Sequence, residues 1–517
     1  MKNNKNIILL LWSLLLPVMV QAQAVSSVMQ AANIELTKSK ALWFNTNNAS
    51  GLVVTPLKNF NEVSVNYGLQ NGNFKMSQSG KDESKLKFNT NGALNLGGIM
   101  LWGDFTYNNN TIKESCFNTN AYNPFRDMPY YVADTVVSKW KQQSYMLQVK
   151  AAFPVLWNVL GTGCEIDYTS NTAAKQNDPR ATNYYYTISV RPGFLFKINK
   201  KHYLGFNGVY ENLYERVTTE NSNNQIDQPV YMMRGLGNYT SEIAGSFGGV
   251  GVCYYKGNKL GGGFQYNYNG EALNILLDVK YHYNVEDAYR SMSKPQRMGT
   301  IKQNVLEGNL QIMLDGKNTN KFTLGYFDKS TDGIEYIQVI DKSYEVQQWV
   351  TLAQHVRSNY SLQVAKLQYD FFASNNRGYS WRVGLNGEYS NKKDEYLLPN
   401  SRLTAENIFV NVFAKKNFKL SDKTTLLFGL NAGYSNNISG EYVYGGVNPE
   451  SALVTDMYKN DIAFLTSDYF RCGGDLNLAF MVAKKMSMFI SAQCQYLKPS
   501  SAFDSRVNTN FSVGLTF

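Results

Sequence analysis

A two-residue alternation of apolar and polar side chains constrains this chain most, and it recurs from about residue 60 to the C terminus. At the C terminus, Phe511, Val513, Leu515 and Phe517 alternate with Ser, Gly and Thr. A strand produces this pattern because its successive side chains point to opposite faces of a sheet. Further alternating segments lie at 145–151, 184–191, 275–282, 381–386, 426–434 and 470–480. The pattern predicts a sheet with one apolar face and one polar face.

The connections between these segments alternate between two lengths along the chain. Short ones lie at 93–98, 154–157, 198–202, 256–259, 315–320, 373–378, 419–423 and 483–485. Long ones, rich in Asn, Ser, Thr, Asp and Tyr, lie at 109–141, 170–182, 217–238, 391–404, 437–461 and 498–507. Outer-membrane barrels show this sorting, with tight periplasmic turns and longer extracellular loops. We therefore predict an all-β fold, a transmembrane antiparallel β-barrel of about 18 strands, with any even number from about 14 to 20 still open.

The apolar face of such strands decides where they can reside. Exposing this face to water costs a free energy of about 25 cal/mol per Å² of apolar area. In hydrocarbon, the backbone N–H and C=O groups along an open sheet edge would have no hydrogen-bond partner. A closed cylinder in a membrane meets both conditions, and its polar face then lines the lumen. By strand parity we expect these side chains to face the lumen: Lys85, Lys87, Asp104, Lys150, Arg191, Asp278, Lys280, His282, Lys366, Asp370, Arg382, Glu388, Arg471 and Asp475.

The N-terminal residues indicate export. Lys2 and Lys5 precede an apolar stretch at 7–20, and Val20-Gln21-Ala22 places small residues at the positions that a signal peptidase reads, which is the order of a secretory signal. We expect residues 1–22 to be a cleaved signal peptide of a Gram-negative outer-membrane protein. Residues 23–58 are then a periplasmic lead-in or a lumen plug, and 59–517 form the barrel.

Composition excludes several other classes of protein. Charged residues make up only 17% of the chain and aromatic residues 14%, which is atypical of disordered chains and coiled coils. Beyond the N-terminal stretch, no apolar run approaches the roughly 20 residues of a membrane-spanning helix. The 3 His and 5 Cys lack the paired spacing of a zinc site.

Motifs of catalysis are also missing from the sequence. It contains no Gly-x-Ser-x-Gly elbow, phosphate-binding glycine loop or His-Glu-x-x-His. We interpret His202 as a turn residue, His282 as a lumen hydrogen-bonding group and His355 as a residue near a loop. The sequence therefore predicts neither an enzyme nor a cofactor.

The formal charge of +10 suggests anionic partners. In an exported chain we expect outer-membrane lipid and the phosphates of lipopolysaccharide, met at the rim by Lys392 and Lys393, rather than nucleic acid. The C-terminal strand, with Phe511, Val513, Leu515 and Phe517, is the candidate segment for the barrel-assembly machinery.

Several motifs resemble those of a known family. They are the Ala22-Gln23 junction, 103–108 (Gly-Asp-Phe-Thr-Tyr-Asn), Asp178-Pro179-Arg180 followed by three Tyr at 184–186, and the closing strand 511–517. Together they look like an uncharacterised outer-membrane β-barrel family of Bacteroidota. The resemblance implies an outer-membrane location and neighbours such as surface lipoproteins or TonB-dependent transporters, and it carries no catalytic residues.

Two functions remain open at this point. The mixed charges of the expected lumen favour a pore or transport channel for small solutes or an apolar ligand. The alternative is a non-conducting accessory barrel that partners a surface lipoprotein or a TonB-dependent transporter, with loops 109–141 and 437–461 in contact.

Overall fold

The computed structural model describes residues 30–55, 57–118, 124–223, 225–245, 250–343, 347–376, 378–483, 485–501 and 503–517. The expected signal peptide, 1–22, lies outside these residues, as do residues 23–29 of the segment expected to follow it. Among the described residues, no helix has both the length and the apolar character that a bilayer crossing requires.

Strands dominate the described chain. In order they are β1 (Phe60–Gly72), β2 (Asp82–Leu96), β3 (Ile99–Ser115), β4 (Val132–Ala133), β5 (Ser138–Ala152), β6 (Leu160–Lys175), β7 (Arg180–Lys197), β8 (His202–Glu220), β9 (Pro229–Gly235), β10 (Asn238–Ile243), β11 (Val252–Asn269), β12 (Leu273–Arg290), β13 (Gln296–Asp315), β14 (Thr319–Asp341), β15 (Gln348–Asn375), β16 (Gly378–Leu397), β17 (Asn400–Lys419), β18 (Thr424–Val443), β19 (Tyr469–Ala483), β20 (Met486–Pro499) and β21 (Arg506–Thr516).

All of these strands except β4, β9 and β10 form one antiparallel sheet of 18 strands. The sheet closes where β1 pairs with β21, with Val65 opposite Val513 and Tyr67 opposite Phe511. Closure gives every strand two partners, so no edge is left to the membrane. The predicted fold class and strand number are confirmed.

The outer surface of the barrel carries the apolar half of the alternation. Val65, Leu147, Ile188 and Val410 are exposed although they are apolar. Such a surface is stable in hydrocarbon and costly in water, as expected for a transmembrane barrel. The opposite face of the same strands is polar and partly buried.

Three predicted connections differ from the structure. The expected long loop 170–182 is mostly strand, since only residues 176–179 separate β6 from β7. Residues 256–259 lie inside β11, and the short turn is instead at 270–272. The expected long loop 391–404 is mostly strand, since only residues 398–399 separate β16 from β17. Polar strands extending beyond the membrane keep their hydrogen-bonded ladder, so polarity alone does not mark where a strand ends.

A lower closure fills the end of the barrel that carries the short turns. It comprises the described residues 30–55, with a helix at Ala31–Lys40 and two 3₁₀ helices at Leu42–Asn45 and Ala49–Val53. These elements contact β3, β5, β6, β7 and β16, which lie at different points around the ring. A segment that touches distant parts of a closed cylinder lies inside it.

An upper closure occupies the extracellular end. It comprises the described parts of 73–81, 116–137, 221–251, 444–468 and 500–505. β4, β9 and β10 form a small separate sheet of 3 strands within it. A π-helix at Leu453–Tyr458 and an α-helix at Lys459–Leu465 complete it.

Candidate functional site

Above the lower closure lies a polar chamber with a volume of about 330 Å³. The lower closure supplies part of its lining, and β12 to β16 supply the rest. Its charged and polar lining residues are Glu35, Lys38, Ser39, Asn45, Asp278, Asn309, Gln311, Lys321, Thr323, Gln368, Asp370 and Arg382. With both signs of charge, the chamber suits small polar or zwitterionic molecules better than apolar ones.

Glu35, on the helix Ala31–Lys40, anchors that helix to the barrel wall. Its carboxylate lies 3.1 Å from Arg382 Nη1 and 2.9 Å from Lys415 Nζ. The Tyr379 hydroxyl donates to the same carboxylate at 2.7 Å. Three partners on β16 and β17 thus hold one side chain, and Glu35 remains 28% exposed.

Further polar contacts continue along the lower closure. Lys40 pairs with Asp315 at 2.8 Å, at the end of β13. Lys321 donates to the carbonyl oxygen of Ser39 at 2.9 Å. On the far side of the ring, Lys150 donates to the carbonyl oxygens of Phe44 and Thr46 at 2.8 and 2.9 Å. Lysines of the wall thereby satisfy carbonyl groups at the helix ends, which would otherwise stay unpaired.

One buried ring lies at the centre of the lower closure. The Trp43 indole is fully buried, and its Nε1 donates to Asn267 Oδ1 at 3.0 Å. Gly51 packs flat on the indole, since a Cβ there would lie 2.0 Å from ring atoms. The Asn48 side-chain nitrogen donates to Gln265 Oε1 at 2.9 Å. These contacts fix the turn that follows the helix.

The upper closure is built around a buried arginine. Arg126 pairs with Glu215 and with Glu286, the latter at 2.8 Å. Its guanidinium also stacks over Tyr255, 5.0 Å from the ring centroid. The Arg126 side chain is 10% exposed and that of Glu286 is 2% exposed. Coulomb attraction is strong in such a dry site, and so is the cost of losing one partner.

Apolar packing surrounds this ion pair. Tyr130, Val230 and Met232 join lumen-facing residues of β5 to β13 in one buried cluster. Gly299 admits the Tyr130 ring, because a Cβ there would lie 2.2 Å from it. The upper closure is therefore packed like a small protein core.

Asp461 links two loops of the upper closure. The backbone N–H of Ser77 donates to its carboxylate at 2.7 Å. Burial raises the pKa of Asp461 to about 6, despite the opposing effects of Ser77 and of the Lys75 charge.

Five of the side chains expected in the lumen lie close to the lower closure or its anchors. Lys150 contacts it directly and also pairs with Glu165 at 3.4 Å. Asp370 lies 2.6 Å from Arg382 Nη2, and Arg382 in turn pairs with Glu35. Asp278 lines the chamber, and Asp475 lies 3.5 Å from Lys415.

The remaining expected lumen residues lie elsewhere along the strands. Arg191 pairs with Glu165 and Asp167, Lys280 lies 3.2 Å from Asp278, and Lys366 pairs with Glu388 at 3.1 Å. Arg471 lies over the Phe409 ring, and Asp104 accepts from the Asn89 side chain at 3.1 Å. By parity, Lys85 and Lys87 lie opposite the exposed Leu86, and His282 lies opposite the exposed Tyr281. Their lumen orientation stays a prediction.

The C-terminal strand has its expected alternation. Phe511 and Val513 are exposed on the outer surface, and Leu515 lies opposite Val63 of β1. Phe517 and Asn61 exchange two backbone hydrogen bonds of 2.9 and 3.0 Å. The strand thus forms the seam of the barrel.

The rim lysines differ from expectation. Lys392 and Lys393 lie within β16 rather than in a loop. Lys392 pairs with Asp394 at 2.7 Å and Lys393 with Glu395 at 3.0 Å. Because Asp394 is buried in the barrel, Lys392 points inward, so it is not placed to meet lipopolysaccharide.

The histidines lie on three different strands, β8, β12 and β15. His202 shares a 2.8 Å hydrogen bond with the Tyr266 hydroxyl near the short turns. His355 is exposed on β15. Within the described ranges, no group of three His, Cys, Asp or Glu side chains is arranged to hold a metal ion.

The sequence interpretation missed the anchors of both closures. Glu35, Lys40 and Trp43 lie in a segment of weak periodicity, and Arg126 lies in a loop. The charges of the short helix Ala31–Lys40 were the available signal for Glu35 and Lys40. No local pattern identifies Arg126, because its partners come from β8 and β12.

A protein-family model covers most of this chain. Residues 49–517 match the model of a family described as "Family of unknown function (DUF6850)". No curated protein matches the chain.

Solved outer-membrane receptors are structurally similar at low identity. The ferric preacinetobactin receptor BauA of Acinetobacter baumannii has 9% identity and a TM-score of 0.42, over 89% of this chain and 80% of that one. The ferric-catecholate import receptor Fiu of E. coli K12 has 7% identity and a TM-score of 0.39, over 89% of this chain and 82% of that one. The siderophore receptor PirA of A. baumannii has 10% identity and a TM-score of 0.36, over 89% of this chain and 81% of that one. Because each TM-score is below 0.5, these similarities assign neither ligand nor mechanism here.

Proposed function

Since this chain belongs to the DUF6850 family of unknown function, we propose its function from its own geometry: a gated transport barrel for small polar solutes, closed at rest. The observation that carries this proposal is the polar chamber of about 330 Å³ above the lower closure. A constitutive pore needs no such closures, whereas a gated channel needs a closure that can detach.

The chemistry of the lower closure supports a detachable gate. Glu35, Lys40 and Lys150 attach it to the wall by ion pairs and by hydrogen bonds to carbonyl groups, beside the apolar packing of Leu42 and Trp43 against wall residues. Water can replace such contacts at modest net cost, about 0.5–1.5 kcal/mol for a typical hydrogen bond. The apolar contacts of this segment must be given up as well when it separates, which keeps the gate closed at rest.

The same geometry narrows the expected cargo. Charged groups of both signs, such as Glu35, Lys321 and Asp370, line the chamber. A polar or zwitterionic solute exchanges its water for these groups, while an apolar ligand would desolvate them without return. Of the two cargo classes expected from the sequence, we therefore favour small polar solutes.

Planar-bilayer recording of four forms tests this function: the wild type, a deletion of 30–55, a deletion of 124–136, and both deletions combined. We expect the combined deletion alone to conduct steadily, because either closure suffices to block the lumen and because 124–136 supplies Arg126 and Tyr130, around which the other loops of the upper closure pack. Heat-modifiable migration on gels verifies that each form is a folded barrel. Steady conductance by the wild type, or a folded double deletion that does not conduct, contradicts the proposal.

An accessory role is the second candidate, and exposed apolar loop residues favour it. Phe125 is 42% exposed and Val447 is 90% exposed, each within a loop expected to contact a partner. Replacing both with Ser, followed by a pull-down from solubilised membranes, tests this role. Loss of a co-purifying lipoprotein or TonB-dependent transporter supports it, and recovery of the barrel alone from the wild type opposes it.

We further propose residence in the outer membrane of a Gram-negative bacterium, after export through a cleaved signal at 1–22. The apolar outer surface supports contact with membrane lipid, and Lys393 remains a candidate for lipopolysaccharide phosphates. The seam strand Arg506–Thr516 is the candidate substrate of the barrel-assembly machinery. We propose no enzymatic activity, cofactor or nucleic-acid partner.

A further inference from the structure

A second polar cavity lies at the extracellular end, between the upper closure and the barrel wall. Its volume is about 260 Å³. Arg234, from β9, lines one side, and Arg290 and Arg297, from β12 and β13, line the other. Guanidinium groups recognise carboxylates and phosphates because their N–H donors match two oxygens at once.

The arginines of this cavity are only loosely paired. Arg290 Nη1 lies 3.1 Å from Glu242, and Arg234 Nη1 lies 3.4 Å from Glu335. Among the described contacts, each of these two ion pairs uses one nitrogen rather than the two-pronged geometry. Arg297 Nη2 donates to the Tyr289 hydroxyl at 2.9 Å and lies 3.6 Å from an Asp287 carboxylate oxygen. Its guanidinium stacks on the Tyr289 and Tyr336 rings, which leaves Nε and Nη1 without an ion pair among the described contacts. Donors therefore remain for an incoming anion.

Both loose ion pairs cross between the upper closure and the wall. Glu242 and Arg234 belong to the small sheet of the upper closure, while Arg290 and Glu335 belong to barrel strands. An anion bound to the arginines would compete with Glu242 and Glu335. Its binding would loosen the attachment of the small sheet.

One neutral side chain adds specificity. Gln296 lines the cavity, and its Oε1 is buried without a hydrogen-bond donor among the described residues. A buried acceptor without a partner costs about 1–3 kcal/mol, so a ligand hydroxyl placed there would be favoured.

We propose that this cavity binds a small soluble anion that carries a hydroxyl group, of the hydroxycarboxylate or hydrogen-phosphate class, and that its occupancy releases the upper closure. The release step rests on the proposed transport function, and the binding step does not. The site would select the solute at the extracellular face, before the chamber receives it.

Isothermal titration of the purified full chain with L-malate, succinate and inorganic phosphate tests the binding. Malate and succinate differ by one hydroxyl, so we expect saturable malate binding several-fold tighter than succinate, and saturable phosphate binding. Failure of malate and phosphate to saturate, or equal affinity for malate and succinate, overturns the proposal.

The Arg402–Glu441 pair at the rim provides matched controls, because it is exposed and neither residue lines the cavity. Arg290→Gln should weaken malate binding at least 10-fold, and Arg290→Lys by less, whereas Arg402→Gln should leave it unchanged. Glu242→Gln should tighten binding by removing the competitor, and Glu441→Gln should not. Equal effects at the two pairs would show a general charge effect and overturn the site.

A membrane source of the anion is separable from a soluble one. We expect malate affinity to be the same in nanodiscs with and without phosphatidic acid. Loss of malate binding in the anionic nanodiscs would show that a lipid headgroup occupies the arginines, which overturns the soluble-anion assignment.

Release of the upper closure has its own readout. Saturating malate should speed subtilisin cleavage within 221–251 in the wild type and leave Arg290→Gln unaffected. Binding without faster cleavage overturns the release step. Binding that persists in a barrel lacking gated conductance contradicts only the transport function, and gated conductance without binding contradicts only this inference.

Discussion

The two closures of the barrel solve the same problem with different chemistry. The lower one is a single continuous segment whose Glu35 anchor is 28% exposed. The upper one gathers five loops around Arg126 and Glu286, which are 10% and 2% exposed, and around an apolar cluster. Partly hydrated ion pairs exchange readily with water, whereas dry ones do not. Apolar packing is present in both closures, so the contrast lies in the hydration of the Glu35 and Arg126 ion pairs, and we expect the lower closure to detach more readily than the upper one.

The largest expected effect comes from Arg126→Gln in the upper closure. Removing the cation leaves Glu215 and Glu286 buried without their charge partner, which costs about 3–5 kcal/mol. Hydrogen exchange within 116–137 should accelerate accordingly, while the barrel strands keep their protection. Arg180→Gln is the control, because its pair with Asp178 is largely exposed and contributes at most about 1 kcal/mol. If the two variants exchange alike, the upper closure is not organised by Arg126.

Trp43→Phe should weaken the lower closure by about 2 kcal/mol. The ring volume is mostly retained, but Asn267 loses the indole donor in a buried site, and an unsatisfied acceptor has a cost of that order. Hydrogen exchange of the segment Leu42–Asn45 measures the effect. Trp157→Phe, in an exposed turn, is the matched control. Unchanged exchange in Trp43→Phe would show that the indole hydrogen bond does not hold the segment.

Glu35→Gln should have a smaller effect, about 1–2 kcal/mol. The amide keeps an acceptor for Tyr379 but loses the charge that Arg382 and Lys415 share, and partial hydration reduces the loss. Amide exchange along the helix Ala31–Lys40 should increase without a change in the upper closure. Glu388→Gln removes a carboxylate that pairs with Lys366 away from this helix, and it should leave the exchange unaltered. A parallel change in both closures would mean that they are coupled and would remove the contrast between them.

These anchors also show where sequence reasoning stops. Alternation is local, so Phe511, Val513 and their counterparts predict the strands. The alternating loop lengths predict about 18 strands within an even range of 14 to 20, and the closed sheet has 18. Glu35 and Lys40 are visible as charges, but the barrel radius decides that Arg382 and Asp315 meet them. Arg126 depends on strands far along the chain, a non-local pairing that no short pattern encodes.

The smallest expected effect is a pH dependence of stability that the upper closure shows and the lower closure does not. Burial is the main reason why the pKa of Asp461 is raised to about 6, above its unfolded value of about 3.9. Asp461 therefore binds its proton more tightly in the folded upper closure than in the unfolded chain. Protonation stabilises the closure as the pH falls through 6, and this added stability is lost as the pH rises through 6. Between pH 7 and pH 5 the gain should be about 1 kcal/mol.

Subtilisin resistance of 444–468 should thus be greater at pH 5 than at pH 7 in the wild type, and independent of pH over this range in Asp461→Asn. It is measured relative to cleavage of an unfolded peptide at each pH, because the catalytic histidine of the protease itself titrates in this range. Lys75, whose own pKa is lowered by burial, is a charged group that acts on Asp461. The lower closure, lacking Asp461, should keep the same exchange rate after correction for intrinsic pH dependence. Resistance that is greater at pH 7, or a pH effect that persists in Asp461→Asn, would assign the titration to another group and leave hydration of the ion pairs as the only measured difference between the closures.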